Sequence, residues 1–265
     1  MFSRQVFSPC AELAPYVRAI AITETTEEVS YRMMPSTSPV VAFDYKGSIF
    51  AMENGAERKL RSHGIFGVHD ACKQLRNAQD TGTLIVFFTE TGASLFFNFP
   101  LHEIFGASYP LDCFIAANRI AEVEEQLSEA PYAIDKVKIA QRFLLSVLQY
   151  KKPDLLVTEA ISRIKQSNGN IRMKELAQQL YISESRLEKR FRGVVGASPK
   201  KTASIIRIQT AIRIYSKNET MTSNAYNAGY FDQAHFIKDF KSFTGYTPVQ
   251  FFKGNEANRI PVLSF

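Results

Sequence analysis

The sequence predicts an α+β protein: a mostly antiparallel β domain, barrel or sandwich, closed by two helices and followed by an all-α domain. Three observations predict it. Up to about Phe97, short β-rich runs alternate with Gly, Asn and Asp turn signals; from Asn118 the apolar residues recur at helical spacing; and the charge balance reverses near residue 150. At 265 residues and 45% hydrophobic content, the chain holds enough apolar material for two cores.

The β-rich runs are Pro39 to Tyr45, Ile65 to Val68, Thr83 to Phe88 and Ala93 to Phe97, with Glu53-Asn54-Gly55 as one of the turn signals. The two closing helices follow. Ile120, Val123 and Leu127 share a stripe, Pro131 interrupts, and Val137, Ala140, Leu144 and Val147 resume the period. Lys151-Lys152-Pro153-Asp154 reads as a linker, because proline disfavours a helical residue before it and Asp154 can cap the next helix. The expected domains are therefore 1–150, 154–254 and a tail over 255–265.

The second half reads as helical throughout. A helix over Leu155 to Gln166 ends at Asn168-Gly169, and a short one from Arg172 to Leu180 turns Met173, Leu176, Ala177 and Leu180 inward. Ser183 is placed to cap a helix through Phe191, which buries Leu187 and Phe191 and leaves Arg186, Glu188, Lys189, Arg190 and Arg192 outside. Two short helices across a turn of about three residues, the second rich in cations, form a helix-turn-helix. The pattern then recurs. After a helix from Ser198-Pro199 to about Tyr215, Thr222 to Ala228 is helical, Gly229 turns with positive φ, and Asp232 caps a helix through Lys241 that buries Phe236 and Phe240.

Residues 1–150 carry 13 Lys and Arg against 17 Asp and Glu, whereas residues 151–265 carry 19 against 9. The basic half is the one suited to a polyanion. No window approaches the ~20 apolar residues of a membrane span. Met1 to Cys10 lacks the basic-then-apolar pattern of a signal peptide. The expected location is cytoplasmic, with no membrane partner. Cys10, Cys72 and Cys113 are too scattered for a disulfide framework or a metal knuckle and are expected to be reduced and mostly buried.

The second unit reads Ala225-x3-Gly229-Tyr230-x-Asp232-x-Ala234-x-Phe236-x-Lys238-x-Phe240-Lys241, then Gly245-x-Thr247-Pro248-x2-Phe251. The first reads Leu176-Ala177-x2-Leu180-x-Ile182-Ser183-x3-Leu187-x3-Phe191, then Gly196-x-Ser198-Pro199. Over about residues 155 to 252 these patterns resemble the AraC/XylS family of bacterial transcription regulators. Two positions depart from it. Asn224 stands where the family has an aliphatic residue, which predicts weaker packing of the second unit, and Lys238 replaces an arginine, keeping charge but losing bidentate geometry. Met34-Pro35-Ser36-Thr37-x2-Val40, Gly64-x-Phe66-Gly67 and Phe96-Phe97-x2-Pro100-x2-Glu103 resemble, more weakly, the sensor domain of a subgroup of these regulators.

The resemblance implies a sequence-specific regulator whose partner is double-stranded DNA, with recognition helices at about 183–191 and 232–241. An α-helix fits the major groove and places its first turns at base edges. The groove-facing set is then Ser185, Arg186, Glu188 and Lys189 in the first unit, and Gln233, Ala234, His235 and Lys238 in the second. Lys174, Arg192, Lys200, Lys201 and Lys241 suit phosphates. The linking helix over 199–215 would span roughly 25 Å, enough to hold the units in adjacent grooves about 10 base pairs apart.

An enzyme is the rival reading, with the first domain as a metal-dependent module. His102-Glu103-Ile104-Phe105-Gly106 opens like a zinc-binding HExxH helix, but Gly106 removes the second ligand, and His63 with His69 lacks a clear carboxylate partner. GxGxxG, GxxxxGK[ST] and GxSxG motifs are absent. The expectation is no enzyme, no metal and no cofactor. A third reading makes the first domain a protein-interaction or dimerisation module, through the Ile120, Val123 and Leu127 stripe beside Glu122, Glu124 and Glu125. Phe43, Tyr45, Phe66, Phe87, Phe88, Phe96 and Phe97 could enclose a small-molecule effector or simply form core. RNA polymerase is a further expected partner if the chain activates, and a homodimer a possible assembly.

Overall fold

The computed structural model describes residues 2–53, 55–149, 151–253 and 262–263. Its first half carries strands β1 (Phe2–Phe7), β2 (Val17–Thr25), β3 (Val29–Met33), β4 (Val40–Lys46), β5 (Ile49–Glu53), β6 (Ala56–Lys59), β7 (His63–Phe66), β8 (Lys73–Asn77), β9 (Thr81–Phe88) and β10 (Ser108–Tyr109), then helices α1 (Ala117–Glu129) and α2 (Ala133–Val147). Helices α3 (Leu155–Gln166), α4 (Met173–Gln179), α5 (Glu184–Val195), α6 (Pro199–Ile214), α7 (Met221–Asn227), α8 (Gln233–Thr244) and α9 (Pro248–Lys253) follow, and Val262–Leu263 forms β11. Among the described residues no helix is long and apolar enough to cross a membrane.

The β strands make two sheets, ordered β1-β2-β9-β4-β7-β10 and β11-β3-β8-β5-β6. Pairing is antiparallel except where β11 lies parallel to β3, opposite Arg32 and Met33. Successive side chains alternate across a strand, so the first sheet serves two layers at once. Val41, Phe43, Leu84 and Val86 face α1 and α2, where Ile120, Val123, Leu127, Val137 and Phe143 close the main core. The Phe43 and Phe143 rings meet edge to face at 5.7 Å. Val40, Ala42, Asp44, Ile85 and Phe87 face the second sheet instead. Burial on both faces explains why β9 reads as a continuous apolar run, Leu84 to Phe88.

The α1 stripe thus packs on its own sheet and does not present a dimer face. Two other expectations need correction. Ala93 to Phe97 is not extended: Ala93–Leu95 is a 3₁₀ turn, with Leu95 N donating to Gly92 O and Phe96 N to Ala93 O, and it buries consecutive apolar residues against Phe88 without strand alternation. The cysteines are not mostly buried; Cys113 is exposed and the other two are half-buried. Asn54 of the turn signal, and 255–261 with 264–265 of the expected tail, lie outside the described residues.

The helices of the second half share one axis. α6 sends Ala203 and Ile206 into a core with α3, α4 and α5, and Ile205, Ile208 and Ala211 into a second core with α7 and α8. A helix apolar on opposite sides has little amphipathic contrast and belongs at a centre. The second core also takes in Met34 and Val68 from the first half.

Candidate nucleic-acid interface

Each unit joins its helices through the same hydrogen-bonded cap. Tyr181 N donates to Gln178 O and Ile182 N to Ala177 O, both at 3.1 Å; Gly229 N donates to Tyr226 O at 2.8 Å and Tyr230 N to Ala225 O at 3.0 Å. This reciprocal pair requires one left-handed residue after the helix. That residue is Tyr181 at φ 53° and Gly229 at φ 81°. The sequence anticipates the glycine but not the tyrosine, whose side chain is almost fully exposed. The following N-caps also differ: Asp232 Oδ1 accepts from His235 N at 2.7 Å, whereas Ser183 holds the position without a side-chain bond.

All the sequence-selected residues are exposed. Ser185, Arg186, Glu188 and Lys189 lie in the first turn and a half of α5, and Gln233, Ala234, His235 and Lys238 in the corresponding part of α8. No hydrogen bond or ion pair among the described residues engages Lys189 or Lys238. Others are held: Gln233 Oε1 accepts from Thr222 Oγ1 at 3.0 Å, and His235 Nε2 lies 3.4 Å from Asp239 Oδ2. Lys174, Arg192, Lys200, Lys201 and Lys241 are exposed too, with Arg192 3.7 Å from Glu188. Lys201 forms an ion pair with Asp70 of the first half.

Several positioning residues escaped the sequence reading. Arg207 on α6 stacks over the Tyr230 ring at 4.6 Å and reaches Asp239 at 3.5 Å, and the Tyr230 and His235 rings meet at 5.2 Å. Burial pushes the Tyr230 hydroxyl up to about 12, keeping it neutral. This cluster fixes α8 on the linking helix. Its one legible signal is Arg207 standing directly between the buried Ile206 and Ile208 of that helix. Asn224 overturns the expectation of weaker packing, because it is buried with its amide satisfied: Oδ1 accepts from Ser216 N at 2.8 Å, and Nδ2 donates to Ser216 O at 2.9 Å and Thr220 O at 3.1 Å. It clips the loop between α6 and α7.

The first half grips this assembly at several points. Lys165 Nζ donates to Glu90 Oε2 at 2.8 Å, and Thr37 Oγ1 to Glu90 Oε1 at 2.8 Å. Burial alone would raise the Glu90 carboxyl, but these partners hold it below its ordinary range. Gln209 donates to Pro35 O at 3.3 Å, and Arg32 donates to Gly245 O at 3.1 Å while covering the Tyr246 ring.

Between the two sheets lies a largely apolar cavity lined by Met33, Val40, Phe66, Leu75, Ile85 and Phe87, with Asp44, Tyr31 and Asn77 among its polar groups. His69 lines it as well, its Nδ1 3.4 Å from Gly67 O, and burial pushes its imidazole down to about 4. His63 is occupied elsewhere, accepting from Leu111 N at 3.1 Å. Among the described residues no three metal-ligating side chains come together. His102 sits in a 3₁₀ turn, Leu101–Ile104, and not in the α-helix an HExxH site needs.

Residues 176–254 match the family described as Helix-turn-helix domain, and residues 5–110 match a Domain of unknown function (DUF6597). No match emerged among curated proteins. Solved structures similar to this chain include ToxT from Vibrio cholerae strain SCE256 with bound unsaturated fatty acid, at 15% identity over 97% of this chain and 96% of that one, with a TM-score of 0.46. The C-terminal domain of the response regulator AraT from Geobacillus stearothermophilus shares 23% identity over 38% of this chain and 87% of that one, with a TM-score of 0.36. An AraC-type transcriptional regulator from Chromobacterium violaceum shares 19% identity over 36% and 88%, with a TM-score of 0.34.

Proposed function

We propose that this chain, whose residues 176–254 form an AraC-type helix-turn-helix domain, is a DNA-binding transcription regulator that reads two successive major-groove segments of one duplex. The observation that carries the reading is the pairing of α5 and α8, two cation-bearing helices presented by matching turns on the 16-residue helix α6. At 1.5 Å per residue α6 spans about 24 Å, stiff enough to keep both helices in adjacent grooves.

In this reading Lys189 and Lys238 donate to guanine O6 and N7, Gln233 pairs with adenine, Glu188 accepts from cytosine N4, and Ala234 meets a thymine methyl. Ser185, Arg186 and His235 complete the base-facing set. Lys174, Arg192, Lys200, Lys201 and Lys241 hold phosphates. Residues 154–254 are the DNA-binding unit, and residues 1–150 sense an effector in the intersheet cavity. Met34 supports that division of labour, since it lines the cavity and also packs in the core of the second unit. The protein is not an enzyme; it acts in the cytoplasm, as an activator that meets RNA polymerase, and as a homodimer where its operators are paired.

The test is selection of bound sites from randomised duplexes with the full chain, followed by a salt titration. Two preferred blocks about 10 base pairs apart are expected. Affinity should fall log-linearly with salt, by a slope near −0.9 per phosphate neutralised. A single block, or binding indifferent to salt, would contradict the reading.

A further inference from the structure

The intersheet cavity has a polar end and an apolar body, and the strand register fixes both. Thr23, Thr83 and Asp44 are neighbours across β2, β9 and β4, with Ala42 and Ile85, then Val40 and Phe87, in the next two rungs of the same face. The second sheet places Asn77, Tyr31 and Leu75 opposite. Asp44 to Val40 covers four residues, about 13 Å along the strand.

The polar end is built to accept hydrogen bonds. Thr83 Oγ1 donates to Asp44 Oδ1 at 2.8 Å, and the charge acting on Asp44 is Glu124, of the same sign. No ion pair among the described residues engages Asp44. Burial, with Glu124 adding to it, pushes its carboxyl up to about 7 against the Thr83 hydrogen bond, and a cation placed beside it would hold it ionised. Asn77 is 3% exposed and its Oδ1 has no partner. Buried acceptors without donors are costly, and each is relieved by a ligand that brings an N–H or O–H. Among the described residues that line the cavity Arg61 is the one Lys or Arg, and it is exposed.

We infer that the cavity binds a small organic amine, with its ammonium group on Asp44 and Asn77 and its apolar body between Ile85, Leu75 and Phe87. The inference rests on the reading of the first half as an effector domain and gives that effector a chemical class. An ammonium holds the Asp44 carboxyl ionised in a charge-assisted pair, and the apolar body, about 60 Å³ and edged by the flexible Met33 and Met34, takes a short alkyl chain. A carboxylate ligand would instead meet Asp44 at close range.

The experiment is calorimetric titration of the full chain, without DNA, using three short probes of similar size: propylamine, propan-1-ol and propanoate. The amine should bind tightest and the acid weakest. Asp44→Asn should weaken the amine about ten- to a hundredfold, as a lost charged hydrogen bond does, and change the alcohol by less than about threefold. Ala42→Leu, which fills the apolar body and leaves Asp44 in place, should abolish binding of both, and thermal melting establishes that each variant folds. Acid binding as tight as amine binding, amine affinity unchanged in Asp44→Asn, or binding of none of the three would overturn the proposal. DNA affinity, measured separately on the same samples, keeps failure of the amine site distinct from failure of the regulator reading.

Discussion

The two helix-turn-helix units share a turn geometry but not a setting. The first closes its core with helices alone, from Val157 through Phe191 to Ile206, whereas the second includes Met34 and Val68 from the β half. The first turn tolerates Tyr181 in the left-handed region; the second uses Gly229. The first has no side-chain cap on its recognition helix, and the second has Asp232, with a buried Asn224 clip behind it. The difference teaches that the units are not interchangeable copies. The second draws apolar core residues from the first half, whereas α5 of the first lies beside the 3₁₀ turns Ala93–Leu95 and Leu101–Ile104, so the first half touches both units, each in a different way.

The largest effect should come from Gly229→Val. At φ 81° a β-branched residue is strained by about 2–3 kcal/mol, and its Cβ would fall 2.2 Å from Asn170 Oδ1, a side-chain atom that can move, so the backbone supplies most of the cost. Thermal melting should register that loss. DNA selection should show the second block degraded and the first kept. Unchanged stability would mean the turn is not the constraint described.

Asn224→Leu should cost about 1 kcal/mol, because it removes the hydrogen bonds to the amide and carbonyl of the half-buried Ser216. A leucine that stabilises the protein would restore the simpler view of an aliphatic core position. Tyr181→Gly should act in the opposite direction and more weakly: relief of left-handed strain, ~1–2 kcal/mol, is offset in part by the ~0.5–1 kcal/mol entropic cost of glycine. Destabilisation would show that the exposed ring has a structural role. Smallest of all is Asp70→Asn, which frees Lys201 from its exposed ion pair. Such pairs are worth at most about 1 kcal/mol, so DNA affinity should rise by no more than about fivefold, with a salt slope steeper by roughly one phosphate. No change in slope would remove Lys201 from the phosphate-binding set.

Much of the second half was legible because its signals are local. Caps such as Asp154, Ser198 and Asp232 and the pairs Leu187 with Phe191 and Phe236 with Phe240 need only a few neighbouring residues to be read, and each lies where the spacing predicts. The first half was legible only where strands are buried on both faces. β9 and β4 announced themselves, while β3, β6 and β8 carry Tyr31, Arg58 and Arg76 among polar neighbours on a sheet with one open side. The cavity was invisible because Asp44 and Asn77 are brought together by pairing across two sheets. The Asn224 clip was misread for a related reason: a polar residue at an aliphatic position is a defect unless its loop partner, eight residues away, turns back to meet it.

The central claim is that two units of unequal setting read two separate segments of one operator. It is tested most directly by comparing the site preferences of the full-length wild type, Lys189→Ala, Lys238→Ala and the double variant in one selection from randomised DNA. Each single variant should lose about 1–3 kcal/mol of discrimination at base pairs of its own block. The losses should add in the double variant, since contacts more than ~10 Å apart rarely couple. Loss of preference at the same base pairs in both single variants, or no change in either, would contradict the account.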